Sequence, residues 1–325
     1  MTHKDTYRVF REWINRHIRV MAPFITLILL VIFFSITAGR FASIQNVTNI
    51  LGNSALLLIL CCGITMVLLI GEIDLSFAAL MTLVSILTAH FLTIFGLSTW
   101  TIIPMVLILG ALFGLLNGAS VAYVNIPSFA VTLATMTIFV GVVVFITEGK
   151  PYYDVPGILY YIGNAYIGKI PVLFIVALSI AVIFYFLLRY TIFGRYVYMV
   201  GGNKEAARLA GVSVKHIQIW VFVIMGVTVA IAGMLGLGRL GSTQCGTFDT
   251  LLIAGIAAVV IGGTSLFGGE GGIVNTIIGV FIWYVLRNGL DLMDMNIYIK
   301  EMLTGIILLL ALIFNLYIQK RSAEA

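Results

Sequence analysis

The chain has 325 residues, of which 61% are hydrophobic and 10% charged, with a net charge of +5 and a mean hydropathy of +1.14. A water-soluble domain carries about 45–50% apolar and about 25% charged residues, so the composition excludes a soluble protein and points to an integral membrane one. Its apolar runs reach 17 residues and more, which favours helices over a barrel, and no polar stretch is long enough for a soluble catalytic domain.

The N-terminal segment MTHKDTYRVFREWINRHIRVMAP is basic. The apolar stretch behind it is long and lacks a small-residue cleavage site. It therefore reads as a retained first span over 20–38, with residues 1–19 on the cytoplasmic side. Nine further spans are expected, over 51–70, 76–94, 99–121, 128–146, 171–188, 217–237, 250–263, 272–287 and 301–318. The expected fold class is all-α: a polytopic membrane protein of about ten helices, with residues 1–325 forming one domain. With both termini cytoplasmic, 12 of the 18 Lys and Arg lie inside, as the positive-inside rule requires. The net positive charge then follows from topology and implies no nucleic-acid partner.

GEIDLS, residues 71–76, places Glu72 and Asp74 between two apolar runs. Spans on either side make it a turn or a helix break, and irregular backbone at membrane depth is tolerated only beside protein or water. Asp74 can cap the helix that follows or touch solute. Further along, FGLLNGAS supplies a buried polar candidate in Asn117. NIPSFAVTLATM opens a helix with Pro127 in its first turn. Ser128, Thr132 and Thr135 are spaced i, i+4, i+7 and share one face, to line a polar path or to bond a neighbouring helix.

The external loop 149–171 is rich in tyrosine, suited to an interfacial belt or to docking an external partner. The internal loop 189–218 contains GGNKEAARLAGVSV. Gly201 and Gly202 break the chain and Asn203 is a good N-cap. Glu205 favours the first turn, and Gly211 can end the helix in a left-handed conformation. The result is a short capped helix of roughly 12 Å, either a plain surface connector or a piece that fits a groove on another protein.

IGGTSLFGGEGG, residues 261–272, has six glycines. They permit a tight cytoplasmic turn and close helix approach. A phosphate loop is excluded, because Ile273 follows where a Walker sequence needs Lys and then Ser or Thr. Cys61, Cys62 and Cys245 lack metal or redox spacing and read as small apolar fillers. His90 reads as interfacial. No HExxH sequence occurs, and no histidine follows His216 to serve a hydrolase built on Ser265.

Four stretches in order, IDLS (73–76), NIPSFAVTLATM (125–136), GGNKEAARLAGVSV (201–214) and IAAVVIGGTSLFGG (256–269), resemble the permease subunits of ABC importers for monosaccharides of the ribose, xylose, allose and galactose type. The resemblance runs from about residue 45 to 318. It implies a coupling helix that docks on a cytoplasmic ABC ATPase, carried here by Gly202, Asn203, Lys204, Glu205, Ala206, Ala207, Arg208, Leu209, Ala210 and Gly211. It also implies a second permease copy, in a homodimer or paralogous heterodimer, and a periplasmic or extracellular solute-binding protein. No cofactor is expected in this chain; ATP and Mg belong to the partner subunit. The location implied is the bacterial inner membrane. Asp74, Ser76, Asn117, Ser128, Phe129, Thr132 and Thr135 are the candidates for the solute pathway or helix break.

The chain departs from the family pattern in three places. Glu72 stands where a small residue is common, and Glu270 where a basic one is. Leu252, Ile253 and Ala254 replace an acidic Glu-Leu-Asp pattern, leaving Asp249 as the nearest acid. Glu72 receives no role, so Glu72→Gly is expected to be tolerated and Asp74→Asn to be damaging. Sugars are uncharged, so their path needs hydroxyls, amides and aromatics, which fits an interior poor in charge. The competing reading is a secondary transporter in which Glu72 or Asp74 carries a proton, since an acid inside a membrane is a functional candidate by default. No catalytic constellation supports an enzyme.

Overall fold

A computed structural model of the protein describes residues 21–153, 157–306, 309, 310 and 313. In chain order the helices are α1 (Met21–Thr37), α2 (Ile44–Leu69), α3 (Phe77–Thr93), α4 (Thr99–Val124), α5 (Ser128–Thr147) and α6 (Ile158–Asn164). After a two-strand hairpin, β1 (Tyr166–Ile167) and β2 (Ile170–Pro171), come α7 (Val172–Tyr190), α8 (Ile192–Gly202), α9 (Lys204–Leu209), α10 (Val214–Leu240), α11 (Thr250–Ile261) and α12 (Ile273–Leu292). A further helix, α13, begins at 297. Among the described residues six helices, α2, α4, α5, α7, α10 and α12, are long and apolar enough to cross a membrane, and α1, α3 and α11 are apolar but shorter. The expected segment 1–19 and half of the expected span 301–318 lie outside the described residues.

The hydropathy pattern locates the apolar helices well but misplaces some of their ends. Ser43 caps α2 by accepting from the Asn46 N–H at 3.2 Å, so that helix starts seven residues before the expected 51. Two stretches read as loops are partly ordered. Residues 149–171 contain α6 and the hairpin, and residues 192–202 form α8. In α8, Thr191 caps the Gly194 N–H at 3.0 Å, and Gly194, Val197 and Val200 bury one face. Gly201 and Gly202 therefore end a helix rather than interrupt a loop.

At the centre stand α2 and α10. α2 packs against α7, α10, α11 and α12, while α10 packs against α4, α3 and α6. The α4–α10 seam is built on glycine. Gly110, Gly114 and Gly118 recur every four residues along α4 and face α10. A Cβ on Gly114 would overlap the Phe222 carbonyl, and one on Gly226 would overlap that of Gly110. Lipid gives no hydrophobic drive for helices to associate, so close approach through small residues supplies the contact.

Contacts mark the two ends of the bundle. At one end the start of α2 meets the hairpin, where Thr48 donates to the Lys169 carbonyl at 3.0 Å. The end of α3 and the end of α10 lie here too: His90 bonds Tyr152 at 2.6 Å, and Tyr152 pairs with Thr243. At the other end the tip of α2 meets α9 and the α11–α12 turn. Each end has an irregular break. Residues 71–76 separate α2 from α3 at the α9 end, and 241–249 separate α10 from the 12-residue α11 at the hairpin end.

Candidate functional site: the broken helix and the α9 end

The extended stretch 71–76 is held by four elements. Gly71 turns the chain with φ of 71°. The Ile73 N–H donates to Ser128 Oγ of α5 at 3.0 Å. Asp74 Oδ1 accepts from both the Ser76 N–H, at 2.7 Å, and the Ser76 hydroxyl, at 2.6 Å. Asn117 Nδ2 of α4 donates to that hydroxyl at 3.1 Å. Asp74, Ser76, Asn117, Ser128 and Thr132 are all buried, so the fold gathers five of the seven expected residues around the break. Buried polar groups must be paired, and this network pairs most of them; Asn117 Oδ1 is the exception.

The sequence expectations about Asp74 need adjusting. α3 starts at Phe77 with Ser76 at its N-cap position, and Ser76 makes no capping bond. Asp74 instead fastens Ser76 from two residues earlier, holding the entry to α3 rather than its first turn. The hydroxyl stripe on α5 also divides. Thr132 donates to the Ser128 carbonyl at 2.8 Å and faces the break. Thr135 is only partly buried and bonds the carbonyl of Thr132, and Phe129 is exposed away from the cluster.

Glu72 has partners that its sequence position did not reveal. Its carboxylate accepts from Lys204 Nζ at 2.6 Å and from Gln218 Nε2 at 2.8 Å. Lys204 opens α9 and Gln218 lies in the first turns of α10. The three residues are far apart in the chain, so no local spacing signals them. Neither acid sits in lipid: Glu72 closes the α9 end and Asp74 is enclosed by protein.

α9 has the local chemistry expected of it. Asn203 Oδ1 accepts from the Ala206 N–H at 2.9 Å, Glu205 pairs with Arg208 at 2.6 Å, and Gly211 takes φ of 84°. The helix holds six residues, a length of about 9 Å. Ala207 is buried against the body, while Leu209 is 79% exposed at the tip. Beside it opens a cleft of about 490 Å³, lined among others by Glu72, Asn125, Lys204, Arg208 and Lys215.

Three glycine turns meet behind α9. A Cβ on Gly201 would collide with the Leu69 carbonyl and stand 2.6 Å from the Gly269 nitrogen. One on Gly268 would stand 2.7 Å from the Gly201 carbonyl and 2.9 Å from the Gly71 nitrogen. The Gly269 N–H donates to the Leu69 carbonyl at 2.9 Å, and Tyr198 donates to the Gly271 carbonyl at 2.9 Å. The glycine-rich run 261–272 thus packs backbone on backbone against the ends of α2 and α8.

Residues 46–312 match the family described as branched-chain amino acid transport system / permease component. Over nearly its whole length the chain is similar to the ribose import permease protein RbsC of Haemophilus influenzae. The two are 35% identical over 310 residues, covering 94% of this chain and 95% of the other. It is 34% identical to the probable ABC transporter permease protein YphD of Escherichia coli, over 97% and 95% of the two chains. It is 31% identical to the xylose transport system permease protein XylH of Escherichia coli, over 94% of each. No solved structure matches it.

Proposed function

This chain belongs to the family described as the permease component of the branched-chain amino acid transport system, and from that membership we propose that it is the pore-forming half of an ATP-driven importer for a ribose-class monosaccharide. The protein is a multi-pass membrane permease of a bacterial ABC importer. The observation that carries the sugar reading is the similarity to ribose permeases over more than nine-tenths of both chains. The xylose permease supports the same solute class.

In this reading about ten spans cross the inner membrane, with the α9 end and both termini in the cytoplasm. α9, with the flanking Gly202, Asn203, Ala210 and Gly211, is the coupling helix. Its exposed Leu209 tip enters a groove on the ATPase subunit, which holds ATP and Mg. A solute-binding protein delivers sugar at the hairpin end, and a second permease copy completes the pathway. The break at 71–76, with Asp74, Ser76, Asn117, Ser128 and Thr132 around it, lies beside the path and sets its inner constriction. The partly buried Thr135 extends that face, and Phe129 looks outward to lipid or to the second copy.

The proton-coupled alternative loses its carriers. Glu72 is paired with Lys204 at the α9 end, and Asp74 Oδ1 accepts both the N–H and the hydroxyl of Ser76.

Vesicles test the reading. Uptake of labelled ribose should require internal ATP and survive collapse of the proton gradient. Uptake that follows the gradient and ignores ATP would reject it.

A further inference from the structure

We propose that Glu72 is a positioning residue that transmits movement of α9 into the broken helix, through Lys204 on one side and the Asp74–Ser76 turn on the other. The inference rests on α9 being the coupling helix and adds the route by which its movement reaches the membrane interior.

The geometry leaves few other routes. α8 ends on Gly201 and Gly202, Asn203 alone joins it to α9, and Gly201 is wedged against the Leu69 carbonyl and Gly269. That contact fixes the end of α8, so a push on the exposed tip of α9 tilts the helix about it and swings the long Lys204 side chain. Lys204 is the first residue of α9, and its ammonium meets a carboxylate that is itself buried. The Lys204 side chain is 47% exposed and that of Glu72 only 9%, so parting would leave the buried carboxylate without its cation, and Glu72 follows Lys204. From Glu72 the path is short and stiff. Ile73 is bonded to α5, and Asp74 is bonded twice to Ser76, where α3 begins and where Asn117 of α4 attaches. A displacement at Glu72 therefore reaches α3, α4 and α5 within four residues of chain. Gln218 holds the same carboxylate to α10, so the tilt is read against the central helix. Glu205, Arg208 and Lys215 line the same cleft, but none of them bonds Glu72.

The test uses the whole importer, permease with its ATPase and binding protein, in proteoliposomes with ribose as probe. The readout is ribose imported per ATP hydrolysed, beside retention of the ATPase on purification. Glu72→Gln and Gln218→Leu should keep the ATPase bound. Both should lower ribose per ATP, Glu72→Gln by about tenfold, a magnitude usual for coupling between sites. Glu72→Lys should be at least as poor, and combining it with Lys204→Glu should recover much of the ratio. A purely structural role would change the yield of complex and leave the ratio alone. An unchanged ratio in both Glu72→Gln and Gln218→Leu overturns the inference, as does a charge swap no better than Glu72→Lys. A wild-type complex that binds no ATPase or imports no ribose instead defeats the importer reading beneath it.

Discussion

Asn117 of α4 reaches the Ser76 hydroxyl at 3.1 Å, and that hydroxyl is already donated to Asp74. One serine thus joins the break to α4. Asp74→Ala strands a buried N–H and a hydroxyl, a cost of about 1–3 kcal/mol. Asn117→Ala removes the other contact of the same hydroxyl. Because both act through Ser76, their effects on thermal unfolding in detergent should not add. Additivity to within about 0.5 kcal/mol would show that the three residues do not work as a unit. Asp74→Asn keeps one acceptor but introduces an amide N–H₂, and should reduce uptake with the protein still in the membrane.

The α4–α10 seam makes a second prediction. Gly114→Ala sets a methyl against the Phe222 carbonyl and should cost about 1–3 kcal/mol through overpacking. Gly141 is a matched control on α5, since a Cβ there meets nothing within 4 Å. Gly141→Ala should be neutral or stabilising by up to about 1 kcal/mol, from helix propensity alone. Melting temperatures of the two variants compare them directly.

Ala207→Pro should uncouple the importer. It removes the N–H that bonds the Asn203 carbonyl at 2.9 Å, and a proline inside a helix costs about 3 kcal/mol or more. Insertion should be normal, because α9 lies outside the spans. Asn203→Ala removes only the cap, worth about 1 kcal/mol, and should give a milder loss. Co-purification of the ATPase and ribose-dependent ATP hydrolysis measure both.

Tyr152 is expected to anchor its loop. Tyr152→Phe keeps the ring beside His90 but deletes the hydroxyl 2.6 Å from the imidazole, a loss of about 1 kcal/mol. Hydrogen exchange in residues 147–153 should quicken, while exchange in α2 stays as it was. Equal protection in both forms would mean that the Tyr152–Thr243 bridge alone holds the loop.

Cysteine labelling checks the orientation. Cys245 is exposed in the connector at the hairpin end, and Cys61 and Cys62 are buried in α2. A membrane-impermeant maleimide should label intact spheroplasts at Cys245 alone. Protection of Cys245 until the vesicles are inverted would reverse the assigned sidedness.

The apolar helices and the chemistry of α9 were legible because both are local. Span length follows from bilayer thickness, and Asn203, Glu205 and Gly211 act within one turn of themselves. What hydropathy could not show is which helices lie inside. α5 is as apolar as α2, yet α2 is buried along most of its length and much of α5 is exposed. Lipid and protein interior are equally apolar, and small residues at fourfold spacing signal a helix contact face rather than a buried helix, since α4 carries them and is largely exposed. Gly110, Gly114 and Gly118 carried that signal in plain view. The Glu72 contacts had no such signal, because Lys204 and Gln218 come from helices more than 130 residues away. α8 was missed because its polar and aromatic residues lower the hydropathy, though Thr191 and the 194–197–200 repeat mark it.

The meeting of Gly71, Gly201 and Gly268 also sets an order of events during synthesis. The first of these glycines leaves the ribosome nearly 200 residues before the last. At about 5–20 residues per second that is roughly 10 to 40 s. Until that interval ends the tip of α2 lacks the 268–269 backbone it will pack against, although Gly201, Lys204 and Gln218 have already been made. The tip of α2 at Leu69–Gly71 is thus completed late, although it is encoded in the first quarter of the chain. A nascent permease arrested before residue 204 lacks both partners of Glu72 and should expose it to proteases and membrane quality control, while a chain released past residue 268 should not.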